Sequence, residues 1–434
     1  MAELEWLQAF GAGIKNSIRP MPTQPAQLIH LSRARSLLQQ RGLDGLVVSL
    51  PHNVYYVSGY WGLLMSAAHF DAAFFALLPA REDQPASLIL PSMELRRLES
   101  AGGTWMPETF IYTSADDEQD HIAKEGVAYS GWPVRDGSSL TALEQRWIEK
   151  TRAQEQRTAG NARGALARAI EFAGLSEAKL AVDDERIGRW LPVAGLEKVT
   201  CLEGRELLGD IRRIKTAAEL KLMRHAAKIN ESAARRAAHA LREGARWQDI
   251  ERVYFTAMAE QGGQGSYMIC GAGGPPSGVI RRNEPMLIDA LGTYRHYHGD
   301  FGRSMVLGEP PALMKKRHQA LCRGWDAVQT RLRPGVLMSE LAQLAVETIR
   351  GNGFPEFVYA TPHCLGLEHT DDATPIGAQQ GAGKDVMLEA GMVLNVDLPF
   401  TEIGWGSMHL EDTVHITNDG FEALTSMNLD IIAV

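Results

Sequence analysis

An apolar strand that ends in a carboxylate must offer it a cation or several hydrogen-bond donors, because burying the charge alone is costly. Four segments of the 434-residue chain raise that demand. LIDALGTYRHYHGDFGRS is an apolar strand ending at Asp289, with a second acid, Asp300, eleven residues on. TPHCLGLEHTDD holds His363 and His369, GMVLNVDLPF ends another apolar strand at Asp397, and GSMHLEDTVHIT holds His409 and Glu411. Several carboxylates and one histidine make an oxygen-rich set suited to hard or borderline divalent ions such as Mn²⁺ or Fe²⁺. Taken singly, each residue has an ordinary explanation. Asp289 or Asp397 alone reads as a turn former, Glu411 as an exposed strand residue, and His363 as a satisfied core or loop histidine. His296 and His298 are spaced as in an exposed hairpin, and Cys364 reads as a small buried side chain. The order and spacing of all four segments argue for one site.

The elements that must position them fall into two halves. In the first, residues 24–41 place Leu28, Leu31, Leu37 and Leu38 at helical spacing, with Gly42 as a stop. Four short apolar runs follow, at 44–50, 53–60, 72–78 and 86–90, and their β-branched or aromatic content predicts strands. A second domain begins near residue 206. Thr216-Ala-Ala-Glu219 has the form of a capping box, in which the hydroxyl and carboxylate satisfy orphan amides at a helix start. Leu220, Met223, Ala227 and Ala234 line one face of that helix, and Trp247, Ile250, Tyr254 and Ala257 line the next. A Gly-rich stretch, GGQGSYMICGAGGPPSG, reads as a loop before the MLID strand.

Composition narrows the function classes. With 45% hydrophobic and 22% charged residues the chain has a globular balance. A formal charge of -9 argues against a nucleic-acid partner, and no run of 18 apolar residues marks a membrane span. The N-terminus does not read as a signal peptide. Cys201, Cys270, Cys322 and Cys364 are too widely spaced for a zinc knuckle or a disulfide framework, so a cytoplasmic location is expected.

The four segments together resemble the metal-site signature of the creatinase, aminopeptidase P and prolidase ("pita-bread") family. The likeness rests on Asp289, Asp300-Phe-Gly-Arg303-Ser304, His363-Cys-Leu-Gly366-Leu367, Gly391-Met-Val-Leu394-Asn-Val-Asp397 and His409-Leu-Glu411-Asp412-Thr-Val414. Upstream, Ile211-Arg-Arg-Ile-Lys215-Thr-Ala-Ala-Glu219 is similar to the family's entry helix. Leu43-Asp44-Gly-Leu-Val-Val and Tyr55-Tyr56-Val-Ser-Gly59-Tyr60 look like its creatinase-type N-terminal domain. The resemblance implies an α/β N-terminal domain over residues 1–205 and a pita-bread α+β catalytic domain over 206–434. It implies a homodimer acting on a small-molecule or short-peptide substrate. It also implies two divalent ions per chain (Mn, Fe, Co or Zn), with Asp289 on the first, His363 and Asp397 on the second, and Asp300 and Glu411 bridging. His369 resembles a substrate-facing histidine of the family, six residues after His363 where seven is usual. The expected reaction is hydrolysis of an amide or Xaa-Pro-like C–N bond by metal-activated water.

Two departures stand against that pattern. Hydrolytic members carry a histidine about seventeen residues before the first Asp, and no histidine occurs between Ala240 and Arg295. Asp397 stands where the family has a glutamate, one methylene longer. The first departure predicts weak cleavage of ordinary Xaa-Pro dipeptides unless His369 or His409 supplies the proton, with His409 favoured for its place two residues before Glu411. It also leaves open a lyase of the dimethylsulfoniopropionate-lyase type, which carries a segment like Arg282-Asn283-Glu284 but an Asp where this chain has Leu291. A metal-free creatinase-like hydrolase and a non-catalytic binding protein on the same shell are further alternatives. Retention of all five ligand positions argues against both.

Overall fold

In the computed structural model, which describes residues 27–67, 73–114, 131–155, 157–271, 278–371 and 385–434, each half of the chain builds its own sheet. The chain divides into Met1–Arg205 and Glu206–Val434. In the first unit β1 (Gly45–Val48), β2 (Phe75–Pro79), β3 (Ser87–Pro91), β4 (Glu108–Ser114), β5 (Ala159–Asn161), β6 (Lys179–Val182) and β7 (Thr200–Glu203) form one sheet in the order β5-β4-β3-β2-β1-β6-β7. Only the β1–β2 and β2–β3 pairings are antiparallel.

Among the described residues the first helix of the unit is Leu31–Gln40, and Gly42 follows it at φ 64°, as a stop residue should. The start of that helical pattern, at 24–26, and the N-terminal segment lie outside the described residues. One strand expectation fails. Residues 53–60 are not a strand but the body of a helix, Pro51–Ser58. Pro51 sits in its first turn, where the missing amide costs nothing, and Gly59 closes it at φ 75°. Seven of its eight residues are buried, so its apolar run carries no helical period to separate it from a buried strand.

The second unit is built on β8 (Gln264–Gly271), β9 (Met286–Tyr294), β10 (Tyr297–Val306), β11 (Thr361–Cys364), β12 (Val393–Asp397), β13 (Phe400–Glu402), β14 (Gly406–Met408), β15 (Leu410–Ile416), β16 (Phe421–Ala423) and β17 (Ile432–Ala433). Its main sheet runs β11-β12-β15-β10-β9-β8, with β16 added to β15 and β17 to β10. The Gly-rich stretch expected as a loop thus supplies the edge strand β8, while residues 272–277 of that stretch lie outside the described residues. Gly265 makes room there: a Cβ would fall 2.2 Å from the Phe255 ring.

Helices cover one face of this sheet. Thr216 caps the helix Ala217–Ala238 as expected, its hydroxyl accepting from the Glu219 amide at 3.2 Å while Glu219 accepts from the Thr216 amide at 2.8 Å. This helix and Trp247–Glu260 pack on β8, β9 and β10 through Ala233, Ala237, Tyr254, Met268, Ile288 and Phe301. Strand alternation sends the neighbours of these residues to the opposite face.

Candidate metal centre

The register of the sheet lines up the acids. Asp289 on β9 pairs with Gly302 on β10, Gly302 with Glu411 on β15, Glu411 with Asp397 on β12, and Asp397 with Thr361 on β11. Direct cross-strand partners share a face, so Asp289, Glu411 and Asp397 point the same way. Two residues along each strand, a second row adds Tyr267, Leu291 and Asp300 on one side and Thr413, Asn395 and His363 on the other. All five residues expected to hold metal therefore lie on the face away from the helices.

Their atoms converge. His363 Nε2 stands 3.7 Å from Asp397 Oδ2 and 4.0 Å from Asp300 Oδ2, and His369 Nε2 lies 3.1 Å from Asp300 Oδ2. His409 Nδ1 is 4.0 Å from Asp289 Oδ2, and its Nε2 is 3.9 Å from Glu411 Oε2. Three overlapping sets have ligand atoms within 4.8 Å of one another: Asp300, His363 and His369; Asp289, His409 and Glu411; His363, Asp397 and Glu411. The shorter Asp397 side chain still reaches the cluster.

The donor set fits divalent cations on evidence of its own. Asp300 Oδ1, Asp397 Oδ1, Glu411 Oε2 and His363 Nε2 are buried with no hydrogen-bond partner. Burial, then the Asp300 and Asp397 charges, hold the Asp289 carboxyl well above the usual range. Burial and the same neighbours do likewise at Glu411. Four clustered carboxylates cannot all ionise cheaply without cations between them. At His369, burial alone would favour the neutral ring, but the Asp300 contact and Asp397 charge outweigh it and the net shift is upward.

The surroundings fix this face from behind. Asn395 donates to Glu411 Oε1, and the Thr413 hydroxyl bonds Asn395 at 2.9 Å and the Asp300 carbonyl at 3.1 Å. On the helix face the fully buried Arg303 guanidinium bonds Asp412 at 2.7 Å and the carbonyls of Gly302 and Glu411, tying β10 to β15 beside the acids. Ser304 Oγ donates to the His409 carbonyl at 3.0 Å and accepts from its amide at 3.2 Å. The Asp-Phe-Gly-Arg-Ser signature thus contributes an acid, a gap and two clamps.

A second device holds the histidine loop. His363 Nδ1 lies 3.0 Å from the His369 carbonyl, an arrangement that leaves Nε2 toward the acids. The loop between them is anchored by Asp371, fully buried, which meets Lys215 Nζ at 2.9 Å and Arg212 Nε at 2.8 Å. Burial would raise the Asp371 pKa, but Lys215 and Arg212 outweigh it and hold the carboxyl below the usual range. Gly366 is required at this crossing, since a Cβ there would fall 2.0 Å from Asp371 Oδ2.

The remaining histidine and lyase readings change. His298 is not in an exposed turn; its Nδ1 lies 3.1 Å from the Gly366 carbonyl and burial lowers its pKa. His409, favoured as the proton donor, is buried at 3% exposure, whereas the His369 side chain is 41% exposed at the rim. Arg282-Asn283-Glu284 is a turn: Asn283 takes φ 60° and donates its amide to the Leu307 carbonyl at 2.8 Å. Leu307 lies five residues beyond Gly302, roughly 17 Å along an extended strand, so this segment is remote from the acids. Tyr267 was missed; its ring meets His369 edge-on at 6.4 Å between centroids, on the edge strand read as a loop.

Comparison with known proteins agrees with this arrangement. The model of metallopeptidase family M24 matches residues 221–418, and that of the creatinase/prolidase N-terminal domain matches 30–168. An Xaa-Pro dipeptidase of Lactobacillus delbrueckii subsp. lactis is 22% identical over 415 residues, covering 93% of this chain and 98% of the relative. An Xaa-Pro dipeptidase of Pyrococcus furiosus is 26% identical over 238 residues, 52% of this chain and 67% of the relative. Among solved structures, the Xaa-Pro dipeptidase from Bacillus anthracis superposes with a TM-score of 0.67 at 18% identity, covering 93% of this chain and 99% of that one.

Proposed function

Starting from a chain that belongs to metallopeptidase family M24 and carries a creatinase/prolidase-type N-terminal domain, we propose that it hydrolyses the C–N bond of an Xaa-Pro-like peptide or a related small amide. The observation that carries the reading is the convergence of Asp289, Asp300, His363, Asp397 and Glu411 on one sheet face, with buried oxygens that receive no hydrogen bond. Asp289 would hold one divalent ion, His363 and Asp397 a second, and Asp300 and Glu411 both. Bound there, such a pair supplies a water ionised near neutral pH and polarises the scissile carbonyl.

The chain's own residues do the rest. Asn395 and Thr413 orient Glu411 and the Asp300 strand, and the Asp371 anchor holds the loop whose His369 carbonyl meets His363 Nδ1. His369, at the open rim, is the group placed to protonate the departing nitrogen, a role general acids fill at a gain of about 10²–10⁴-fold. The Tyr267 ring meets it edge-on. Mn²⁺, Fe²⁺, Co²⁺ and Zn²⁺ all suit this donor set. Four free cysteines support a cytoplasmic home, and the family likeness supports a homodimer, which light scattering checks.

The test is metal analysis of the purified protein followed by Xaa-Pro dipeptides and small N-substituted amides with each ion. Two ions per chain and ion-dependent release of the amine are expected. A protein that binds no divalent ion, or one whose turnover survives exhaustive chelation, would refute the reading.

A further inference from the structure

His409 is the residue that the five-ligand scheme leaves unexplained. Its ring is buried, and neither nitrogen has a hydrogen-bond partner. A buried imidazole usually satisfies at least one of its nitrogens, so two orphans on one ring need an explanation. The nitrogens face carboxylates instead: Asp289 Oδ2 at 4.0 Å and Glu411 Oε2 at 3.9 Å. Those separations are too long for hydrogen bonds. A separation of about 4 Å suits two atoms that share an ion at about 2.0–2.2 Å from each. One ligand atom from each of Asp289, His409 and Glu411 lies within 4.8 Å of the others, so one ring nitrogen would ligate while the other carries the proton toward the remaining carboxylate.

The backbone is arranged to deliver the ring. Ser304 clamps both the amide and the carbonyl of His409. Gly302 supplies the space, because a Cβ there would fall 2.5 Å from His409 Nδ1 and 2.6 Å from Glu411 Oε2.

We propose that His409 is a sixth protein ligand, which with Asp289 and Glu411 completes the first ion's site and gives each of the two ions one imidazole. This rests on the two-ion reading above and deepens it. The second ion takes its nitrogen from His363. With one nitrogen and carboxylates on each side, the two sites present nearly matched donor sets. Both then favour Co²⁺, Fe²⁺ or Zn²⁺ over Mg²⁺ or Ca²⁺, whose preference is for oxygen alone. His369, nearer solvent, is left free for substrate.

The experiment uses the full chain titrated with Co²⁺ and followed by visible absorption and by proton NMR of the paramagnetically shifted imidazole N–H signals. His409→Gln should show one fewer such signal than the wild type, and one of the two ions should bind on the order of 10–100-fold more weakly. His409→Cys gives a positive readout, since a thiolate pointing at the ion adds a sulfur-to-Co²⁺ charge-transfer band on loading the first equivalents. An unchanged signal count and affinities in His409→Gln, or no charge-transfer band in a folded His409→Cys, would overturn the assignment while leaving the two-ion hydrolase standing. Failure of the wild type to bind Co²⁺ would bring down both.

Discussion

Gly302 is the position where a single methyl group tests the whole geometry. It is absent from the glycines with positive φ, so alanine costs nothing in backbone conformation there. The added Cβ would lie 2.5 Å from His409 Nδ1, 2.7 Å from His409 Cε1 and 2.6 Å from Glu411 Oε2. Ordinary contact begins near 3.4 Å, so the ring and the carboxylate must each retreat by close to 0.8–0.9 Å. Neither retreats easily, since Ser304 pins the His409 backbone and Asn395 holds the other Glu411 oxygen. Overpacking of this kind costs about 1–3 kcal/mol. At about 2–4 °C per kcal/mol for a unit of this size, the melting temperature should fall by roughly 2–12 °C. The effect on chemistry should be larger, because a misplacement near 1 Å costs about 10²-fold in rate. Gly302→Ala should therefore fold, bind ions more weakly and lose about two orders of magnitude in turnover. Calorimetry, metal titration and peptide hydrolysis on one preparation give the three numbers. If the variant loads ions with wild-type affinity and turns over normally, the space above Gly302 is not where ligands meet.

Three further outcomes follow from the same structure. Asp371→Asn removes the counter-charge of the buried Lys215 and Arg212, and breaking such a pair from one side costs about 3–5 kcal/mol; denaturant unfolding with no loss of stability would show the anchor to be idle. Glu219 is pushed by burial up to about 7, against the opposing charge of Lys215. Its folded pKa is thus above the unfolded value near 4.5, so its contribution is intact below pH 4.5 and is lost as pH rises through 7. Glu219→Gln, which keeps the capping geometry, should be more stable than the wild type above pH 7 by roughly 3 kcal/mol. The gap should close below pH 4.5, and a pH-independent difference would contradict the shift. Asp300→Asn relieves repulsion in the ion-free protein, so it should melt no lower than the ion-free wild type. It should also lose the stabilisation that excess ion confers, about 2.7 kcal/mol at a hundred times Kd; an undiminished rise in melting temperature on adding Mn²⁺ or Co²⁺ would make Asp300 a structural acid.

What was legible in the sequence follows from where the information is local. Acids at the ends of apolar strands announce themselves, because burial makes them expensive, and the five expected ligands indeed share one face. The Thr216–Glu219 box was legible for the same reason, since both partners lie within one turn. Features that depend on long-range pairing were not. Lys215 and Asp371 are 156 positions apart, and nothing near either says that one neutralises the other. Tyr267 could not be placed while β8 read as a loop, because its glycines speak of flexibility when taken alone. Gly265 serves instead to admit Phe255 and Tyr254 close against the strand. His409 shows the limit most clearly. Its spacing from Glu411 predicted one strand face; His409 lies between β14 and β15, with its ring beside Glu411, and spacing cannot say whether an imidazole swings to a substrate or is clamped under an ion. Ser304, 105 residues away, and the missing Cβ of Gly302 decide that. Ser304 fixes the His409 backbone, and the ring lies buried in a gap kept open by glycine rather than at the open rim. Position two before the glutamate thus fits the ligand role proposed above, which leaves His369 at the rim as the group proposed to carry the proton.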